Sequence, residues 1–484
     1  MKNILSKTVW TLGIAALVMT GCKNSEEQYV RLSDLVCTFQ GSGNEPYTIT
    51  VDSEPEAWRA TANASWVSAE NVEGKLVLTV SDNTDGSERT TTVDVVAGKA
   101  MASISVIQLG ENDLPVRYRL LKDLHSAVIS PNGKLAAGYY SVADAETGTA
   151  IYYFHFINLD TDEKTELGPW PESLMFPTSV TCMTDTGIVY AIDANGGMKA
   201  IDMNEKNFYA VEVPGIANAS SLGINSVSGD GEFWVGYAME NGHYRPFVFE
   251  NGQATMLPLL GKDFRDIPYD GEDFDLMARG FSADRSIIYG TTWDNQDYGM
   301  VYWDAERNVH FVGEDERKVR TVQRNGPEGE KYDYNIVDGM ISWSSQFNIS
   351  PNGKWIAGTY RKEELVNDGD KVEQTEFAAF YNVEANKTYI FEEYGAASGM
   401  CVNDEGIGFI GLPSMYTSKT AVVRIETGEA LGSFQDYIYG LYGVRVPEGF
   451  LQYVTPDGKK FWAATLSSEG IAMTALNWYL AVNE

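Results

Sequence analysis

The 484-residue chain reads as all-β: a small β-sandwich followed by a seven-bladed β-propeller closed by an N-terminal strand. Three observations predict this. A turn of the type Ser350-Pro351-Asn352-Gly353 recurs seven times over the C-terminal three quarters of the chain. A short apolar run enters each copy and another leaves it, which is the pattern of a hairpin. Residues 30–110 instead alternate apolar and polar groups with a period of two and lack the recurring turn.

Composition agrees. An apolar content of 44% and an aromatic content of 12% supply cores for more than one domain. The 46 Gly and 16 Pro are spread through the chain, as many turns between short strands require, and helical heptads are absent. A net charge of −32 repels a phosphate backbone over most of the surface and excludes nucleic acid as a partner.

Residues 1–21 stand outside the fold. Lys2 and Lys7 precede an apolar run from Val9 to Met19, too short for a resident membrane helix. Met19-Thr20-Gly21-Cys22 resembles a bacterial lipobox, with Met where Leu is usual. The resemblance implies cleavage before Cys22 and lipidation of its thiol, hence a membrane anchor through Cys22. Each buried acyl methylene contributes about 0.8 kcal/mol, so several chains hold firmly. Residues 22–29 form a tether, and Lys23-Asn24-Ser25-Glu26-Glu27 resembles the acidic tag that sends lipoproteins of the Bacteroidetes to the outer cell surface. The expected location is the outer membrane, facing outward. Cys37, Cys182 and Cys401 show no metal spacing and are expected as buried thiols.

Within residues 30–110, the runs Thr48 to Val51, Leu76 to Val80, Thr91 to Val95 and Ser103 to Ile107 each place apolar groups at alternate positions. Asn44, Asp82-Asn83, Asp85-Gly86 and Gly98 lie in the gaps, so about eighty residues make a small sandwich. Trp58, Ser65-Trp66, Asn83 with Gly86 and Arg89, and Gln108 with Gly110 resemble the BACON domain, the Bacteroidetes-associated module often found N-terminal in carbohydrate-processing proteins. That resemblance implies an immunoglobulin-like sandwich. Some members of the family are spacers, and the place beside the lipid tether favours that role. Trp66 is expected to pack rather than to present a sugar platform.

The propeller is expected over residues 116–484. Its turns begin at Ser130, Thr184, Ser228, Ser282, Ser350, Asn403 and Thr455, spaced by 44 to 68 residues. A small-residue strand follows each turn and a longer aromatic strand follows that, so each copy reads as a four-stranded blade that buries its faces only by stacking. The seventh copy is one strand short, and the surplus run Val116 to Leu121 can complete it. The repeat resembles the TolB-like or YVTN-type propellers. It lacks the Gly-His and Trp-Asp pairs of WD40 repeats and the sialidase-type Asp box, whose Gly position holds Glu232. The resemblance therefore covers fold and carries no catalytic residue.

Long connections on one rim place the function there. Gly261 to Met277 and Val312 to Ser345 lead into innermost strands, and Arg361 to Glu376 joins a second strand to a third. Loops of this rim carry Trp170, Tyr244, Trp293, Tyr298, Tyr334, Trp343, Tyr437, Tyr439 and Tyr442. Flat rings with a polar tip suit the apolar face of a pyranose, so these residues are the candidate ligand-binding set. Asp263, Asp266, Asp270, Asp273 and Asp275 crowd one insertion without EF-hand spacing, and no metal or cofactor is assigned. His125, His155, His243 and His310 show no metal spacing, and His155 is expected in the core. No G-x-S-x-G, H-E-x-x-H or P-loop occurs, so no catalytic residue is assigned. The reading is a non-catalytic binder of a glycan or a surface protein. A protein-interaction scaffold and a glycan-active hydrolase or lyase are the rivals, because paired carboxylates from different blades leave no local signature.

Overall fold

The computed structural model describes residues 28–482 except 40, 42–43, 86, 111–115, 122–124, 144–149, 162, 170–176, 194–196, 217–220, 269–274, 293–298, 343–347, 413–418, 443–445, 447–448, 456–459 and 470–471. The chain divides into two compact units, Met1–Asp113 and Leu114–Glu484. Among the described residues no helix is long and apolar enough to cross a membrane.

The first unit is two four-stranded sheets face to face. One has the order Tyr29–Leu32, Tyr47–Glu54, Lys75–Val80, Val67–Val72, and the other Val36–Phe39, Ala100–Gln108, Arg89–Ala97, Arg59–Ala62. Alternation decides the core: Ile49, Leu76, Leu78, Val93, Val95 and Ile104 all point inward and are fully buried. Trp58 and Trp66 pack against that core. Arg89 stacks on Trp66 at 4.6 Å and donates to the Gln108 side-chain oxygen at 2.7 Å. Gln108 in turn donates to the Ser81 carbonyl at 2.9 Å, and Asn83 donates to the Leu109 carbonyl at 3.0 Å. The polar residues that carry the BACON resemblance thus satisfy buried backbone groups at one end of the sandwich.

The second unit is propeller-like. Its described residues form seven consecutive antiparallel sheets, and first strands are neighbours through the first four sheets and again between the sixth and seventh. Those first strands are His125–Ile129, Pro177–Met183, Ser221–Val227, Leu276–Phe281, the end of Lys331–Ile341, Ser398–Val402 and Phe450–Val454. The seventh sheet runs Phe450–Val454, Lys460–Glu469, Ala472–Val482 and then Val116–Leu121, which pairs with the chain's last strand in the register Val116 to Val482. Large side chains fill the spaces between sheets, with Trp303, Trp355, Trp462, Phe233 and Phe247 among the fully buried. Each contributes roughly 2–3 kcal/mol of transfer free energy. The indole of Trp303 keeps its hydrogen bond by donating to the Pro258 carbonyl at 2.9 Å.

The recurring turn closes on its own side chains. The Ser350 hydroxyl donates to Asn352 Oδ1 at 2.7 Å and accepts the Trp355 amide at 3.0 Å, and the same pattern holds at Ser130 and Asn132. Adjacent turns are then tied together. The Asn132 amide donates to Asp185 Oδ1 at 2.9 Å, the Asp185 amide to the Gly229 carbonyl at 2.9 Å, and the Arg285 guanidinium to Asp230 at 2.6 Å. Beyond them the Ala283 amide donates to the Pro351 carbonyl at 2.7 Å and the Asn352 amide to Asp404 Oδ1 at 2.8 Å. On the seventh sheet, Tyr453 donates to the Pro131 carbonyl and Lys460 to the Asn132 and Gly133 carbonyls, which returns the series to the first turn. The fourth turn ends in Arg285 where its siblings have Gly. Its backbone is left-handed at a φ of 63°, a conformation that disfavours a side chain, and the bond to Asp230 offsets the cost.

First strands share a second irregularity. Two residues oppose one just before the turn, and the extra residue is Thr181, Asn225, Arg279, Met400 or Gln452, always three positions ahead of the turn's first residue. In the first sheet the ladder shifts between His125 and Val128. The fifth sheet departs further, because Gly339 to Ile341 pair with Arg361 to Thr359 and only an isolated bridge, Ile349 to Ile356, resumes the ladder.

A Cβ on Gly229 would lie 1.9 Å from Asp185 Oδ2, so Gly229→Ala must displace the carboxylate that accepts the Asn132 amide and ties the first turn to the second. Loss of this half-buried hydrogen bond predicts a fall of about 0.5–1.5 kcal/mol. Chemical denaturation of the second unit measures it, and an unchanged midpoint would show that the tied turns do not bear on stability.

Candidate functional site

Three excursions meet on the fifth sheet. Lys318–Asn325 and Lys331–Ile341 form one ribbon, and the long strands Trp355–Val366 and Lys371–Asn382 form a second that runs far beyond the body of the sheet. The two stretches expected as separate loops are therefore hairpins lying side by side. At their tips Asn325 donates to the Asp368 carbonyl at 3.1 Å and to Asp370 at 2.7 Å.

Where the ribbons part, a buried ionic network replaces the missing ladder. Arg265, from the third excursion, makes a two-pronged bond to Glu363 at 2.7 and 2.9 Å and donates to the Asn335 carbonyl at 2.6 Å. Glu363 also accepts the Val337 amide and the Gln374 side chain, both at 2.9 Å. Arg320 forks onto Asp338 at 2.9 and 3.0 Å and donates to the Glu363 carbonyl at 2.7 Å. Burial alone would push the Glu363 carboxyl upward, but the Arg265 fork and the Val337 amide outweigh it and hold the group below its ordinary range. The carboxylate is charged, enclosed and fully bonded, so this network is a clamp for the excursions.

The acidic insertion is occupied by similar work. Asp263 accepts the Arg265 and Ile267 amides at 2.8 Å each, and Asp266 pairs with Lys262 at 2.8 Å and Arg317 at 2.5 Å. Asp275 accepts the Tyr244 amide at 2.5 Å. Asp270 and Asp273 lie outside the described residues.

A different cluster forms at the junction of the third and fourth sheets. Tyr244 meets Tyr237 edge to face, with ring centroids 5.0 Å apart. The Tyr237 ring lies where a Cβ on Gly223 would come within 2.3 Å, so only glycine at 223 lets it lie over the first strand. His243 Nδ1 is 3.5 Å from Asp275. Arg279, the extra residue of its strand, is half-buried and donates from Nε to the Thr291 hydroxyl at 3.2 Å. Asn225, the extra residue next door, donates to the Ala278 carbonyl at 2.7 Å. Burial pushes the Tyr237 hydroxyl up and the neighbouring Tyr244 adds to this, against a smaller opposite pull from Arg279. Tyr237 is therefore protonated at neutral pH and offers a hydrogen bond rather than a base.

The expected aromatic set is not one patch. Tyr244 stands at that junction. Tyr334 stands on the ribbon of the fifth sheet, with the guanidinium groups of Arg265 and Arg324 each 5.0 Å from its ring centroid and Tyr332 beside it. Tyr437, Tyr439 and Tyr442 lie on a helix, Phe434–Tyr442, where the sequence predicted an irregular loop. Phe434 and Ile438, four apart, bury one face of it, which leaves Tyr439 exposed and Tyr437 edge-on to Phe409 at 6.1 Å. Trp170, Trp293, Tyr298 and Trp343, the Tyr442 side chain and Cys22 lie outside the described residues. Sequence reading missed Tyr237, Arg279, Arg265 and Glu363. Of these only Arg279 leaves a trace, as a lone basic residue in the column three before the turn.

His155 is buried within its strand and 3.3 Å from Glu166, and Cys37, Cys182 and Cys401 are buried free thiols, with burial pushing Cys182 up to about 12.

Residues 56–109 match the BACON family model, described as "Putative binding domain, N-terminal". No curated protein matches the chain. Among solved structures, an oligogalacturonate lyase in complex with manganese is 12% identical, with a TM-score of 0.39, over 83% of this chain and 99% of that one. The β-propeller domain of the Trilobed protease from Pyrococcus furiosus is 9% identical, with a TM-score of 0.41, over 75% and 96%. An oligogalacturonate lyase from Vibrio parahaemolyticus is 13% identical, with a TM-score of 0.38, over 77% and 99%.

Because the folded Glu363 carboxyl titrates below its unfolded value, its stabilisation is complete above the ordinary glutamate range and is lost as pH falls through the folded value. Asp230, Asp266, Asp284 and Asp304 share this sign, whereas burial raises Asp185 and gives the opposite slope. Glu363→Gln should therefore show a shallower loss of stability in acid than wild type. Denaturation midpoints followed from neutral to acid pH decide it, and parallel curves would refute the assignment.

Proposed function

We propose that the protein is a cell-surface lipoprotein whose propeller face binds a glycan without chemistry. The observation that carries this is the junction of the third and fourth sheets, where an aromatic pair, Tyr237 and Tyr244, stands beside the Arg279 guanidinium and the Asp275 carboxylate. Rings bind the apolar face of a sugar and the charged groups its hydroxyls. Trp170, Trp293, Tyr298, Tyr334, Trp343, Tyr439 and Tyr442 extend this binding set in the proposal.

The second unit is read as a seven-bladed propeller closed by Val116–Leu121. Seven sheets, the pairing of that strand with the last one, and the bonds from Tyr453 and Lys460 to the first turn support the reading. The first unit is read as an immunoglobulin-like spacer, since Trp66 and its neighbours are engaged in holding its own core together. Lipid on Cys22 would hold both at the outer membrane. A surface protein is the second reading of the ligand, favoured by the exposed Ile267, Leu259 and Met256 at 51%, 39% and 37%.

Tyr244→Ala should abolish retention of the chain on a polysaccharide affinity gel while leaving its melting temperature near that of wild type. Retention equal to wild type would move the platform elsewhere, and retention of an envelope protein in place of glycan would favour the second reading. Cys22→Ser should abolish incorporation of labelled palmitate and release the protein from the membrane fraction. Membrane retention without label would overturn the anchor.

A further inference from the structure

Three arginines meet on the first ribbon of the fifth sheet, and their partners are unequal. The register sets Arg320 opposite Ile336, Val322 opposite Tyr334 and Arg324 opposite Tyr332, and directly opposed residues share a face. Arg320 forks onto Asp338, the residue two beyond its cross-strand partner. Relative to Arg324 that diagonal place is held by Tyr334, a ring in place of an acid. The Arg324 guanidinium lies over this ring, 5.0 Å from its centroid. Arg265 meets the same ring, but its N–H groups go to Glu363 and the Asn335 carbonyl. Arg324 is half-buried and bonds to no carboxylate among the described residues. Contact with a ring face uses no hydrogen-bond acceptor, so the N–H fork of Arg324 stays available. In a chain of net charge −32, this makes a local exception to a field that repels anions. Beside it Tyr332 is 40% exposed and edge-on to Tyr334 at 6.4 Å. The next residue, Asn325, donates to Asp368 and Asp370 of the second ribbon, which fixes the strand end that carries Arg324.

We propose that Arg324 receives the anionic group, carboxylate or sulfate ester, of an acidic glycan whose neighbouring sugar ring rests on Tyr332. The inference rests on the glycan-binding reading above and adds to it a second contact site, on the fifth sheet, with a charge class. A guanidinium donates two parallel charge-assisted bonds to either oxyanion, as Arg320 does to Asp338, and lysine cannot reproduce them.

Isothermal titration of the full chain with oligohexuronate, sulfated oligohexose and neutral oligohexose of equal length tests this. Wild type should bind at least one acidic ligand about tenfold or more tighter than the neutral one, with affinity falling as salt rises. Arg324→Gln should lose roughly ten- to hundredfold on the acidic ligand and nothing on the neutral one, at an unchanged melting temperature. Arg324→Lys should recover only part of the loss, and Tyr332→Ala should weaken the acidic ligand by roughly tenfold. The uronate and sulfate arms identify the oxyanion. If Arg324→Gln binds the acidic ligand as wild type does, or wild type prefers neither acidic ligand to the neutral one, the inference fails while the glycan reading stands. If wild type binds none of the three, both fail. Should Arg324→Gln not fold, equal binding of the acidic ligand by Tyr332→Ala and wild type would overturn the proposal.

Discussion

The second unit depends on the hydrogen bonds that tie the first six turns in series and the seventh sheet to the first turn. Apolar packing between neighbouring sheets is large but non-directional, and alone it would tolerate a range of slides and tilts. The bond from the Asn132 amide to Asp185, and its equivalent from Asn352 to Asp404, set the stagger of adjacent sheets at one end. Each such group is already oriented by its own turn, so little conformational freedom is lost when the tie forms. Gly229 is glycine because the Asp185 carboxylate occupies the space a Cβ would need.

A rim fixed in this way frees the opposite rim to vary. Chain connections there grow into the ribbons of the fifth sheet and the helix Phe434–Tyr442 without disturbing the tied turns. Long excursions carry an entropic cost, and the structure meets it with the Arg265 and Glu363 pair, which joins segments about a hundred residues apart in sequence. Removing either partner would leave a buried charge, so the two are interdependent. The aromatic and arginine cluster at the third and fourth sheets lies on the ordered body, where Gly223 and Thr291 fix its geometry.

Much of the fold was legible because it is written locally. The Ser-Pro-Asn-Gly turns and the alternation in residues 30–110 each require particular residue types at fixed offsets, and the missing strand of the last sheet could be found by counting. The helix Phe434–Tyr442 escaped notice because nine residues, with Phe434 and Ile438 the buried ones among those described, make too short a pattern to stand out from a loop. The ribbons escaped because their strands are held by Arg265, Asp338 and Glu363, whose partnerships are long-range and have no spacing rule. Site residues were legible only as a type. Aromatic content pointed to Tyr244 and Tyr334 but not to their separation in space, and Trp66 of the first unit is engaged with Arg89.

The extra residue before five of the turns has a further meaning. Thr181, Asn225, Arg279, Met400 and Gln452 hold equivalent stations yet differ in size, polarity and charge. A station outside the ladder imposes no pairing requirement on its occupant, so its chemistry can drift while the repeat around it stays constant. The five sheets thus carry interchangeable sockets, each open to a different side chain while the ladder on either side keeps its register.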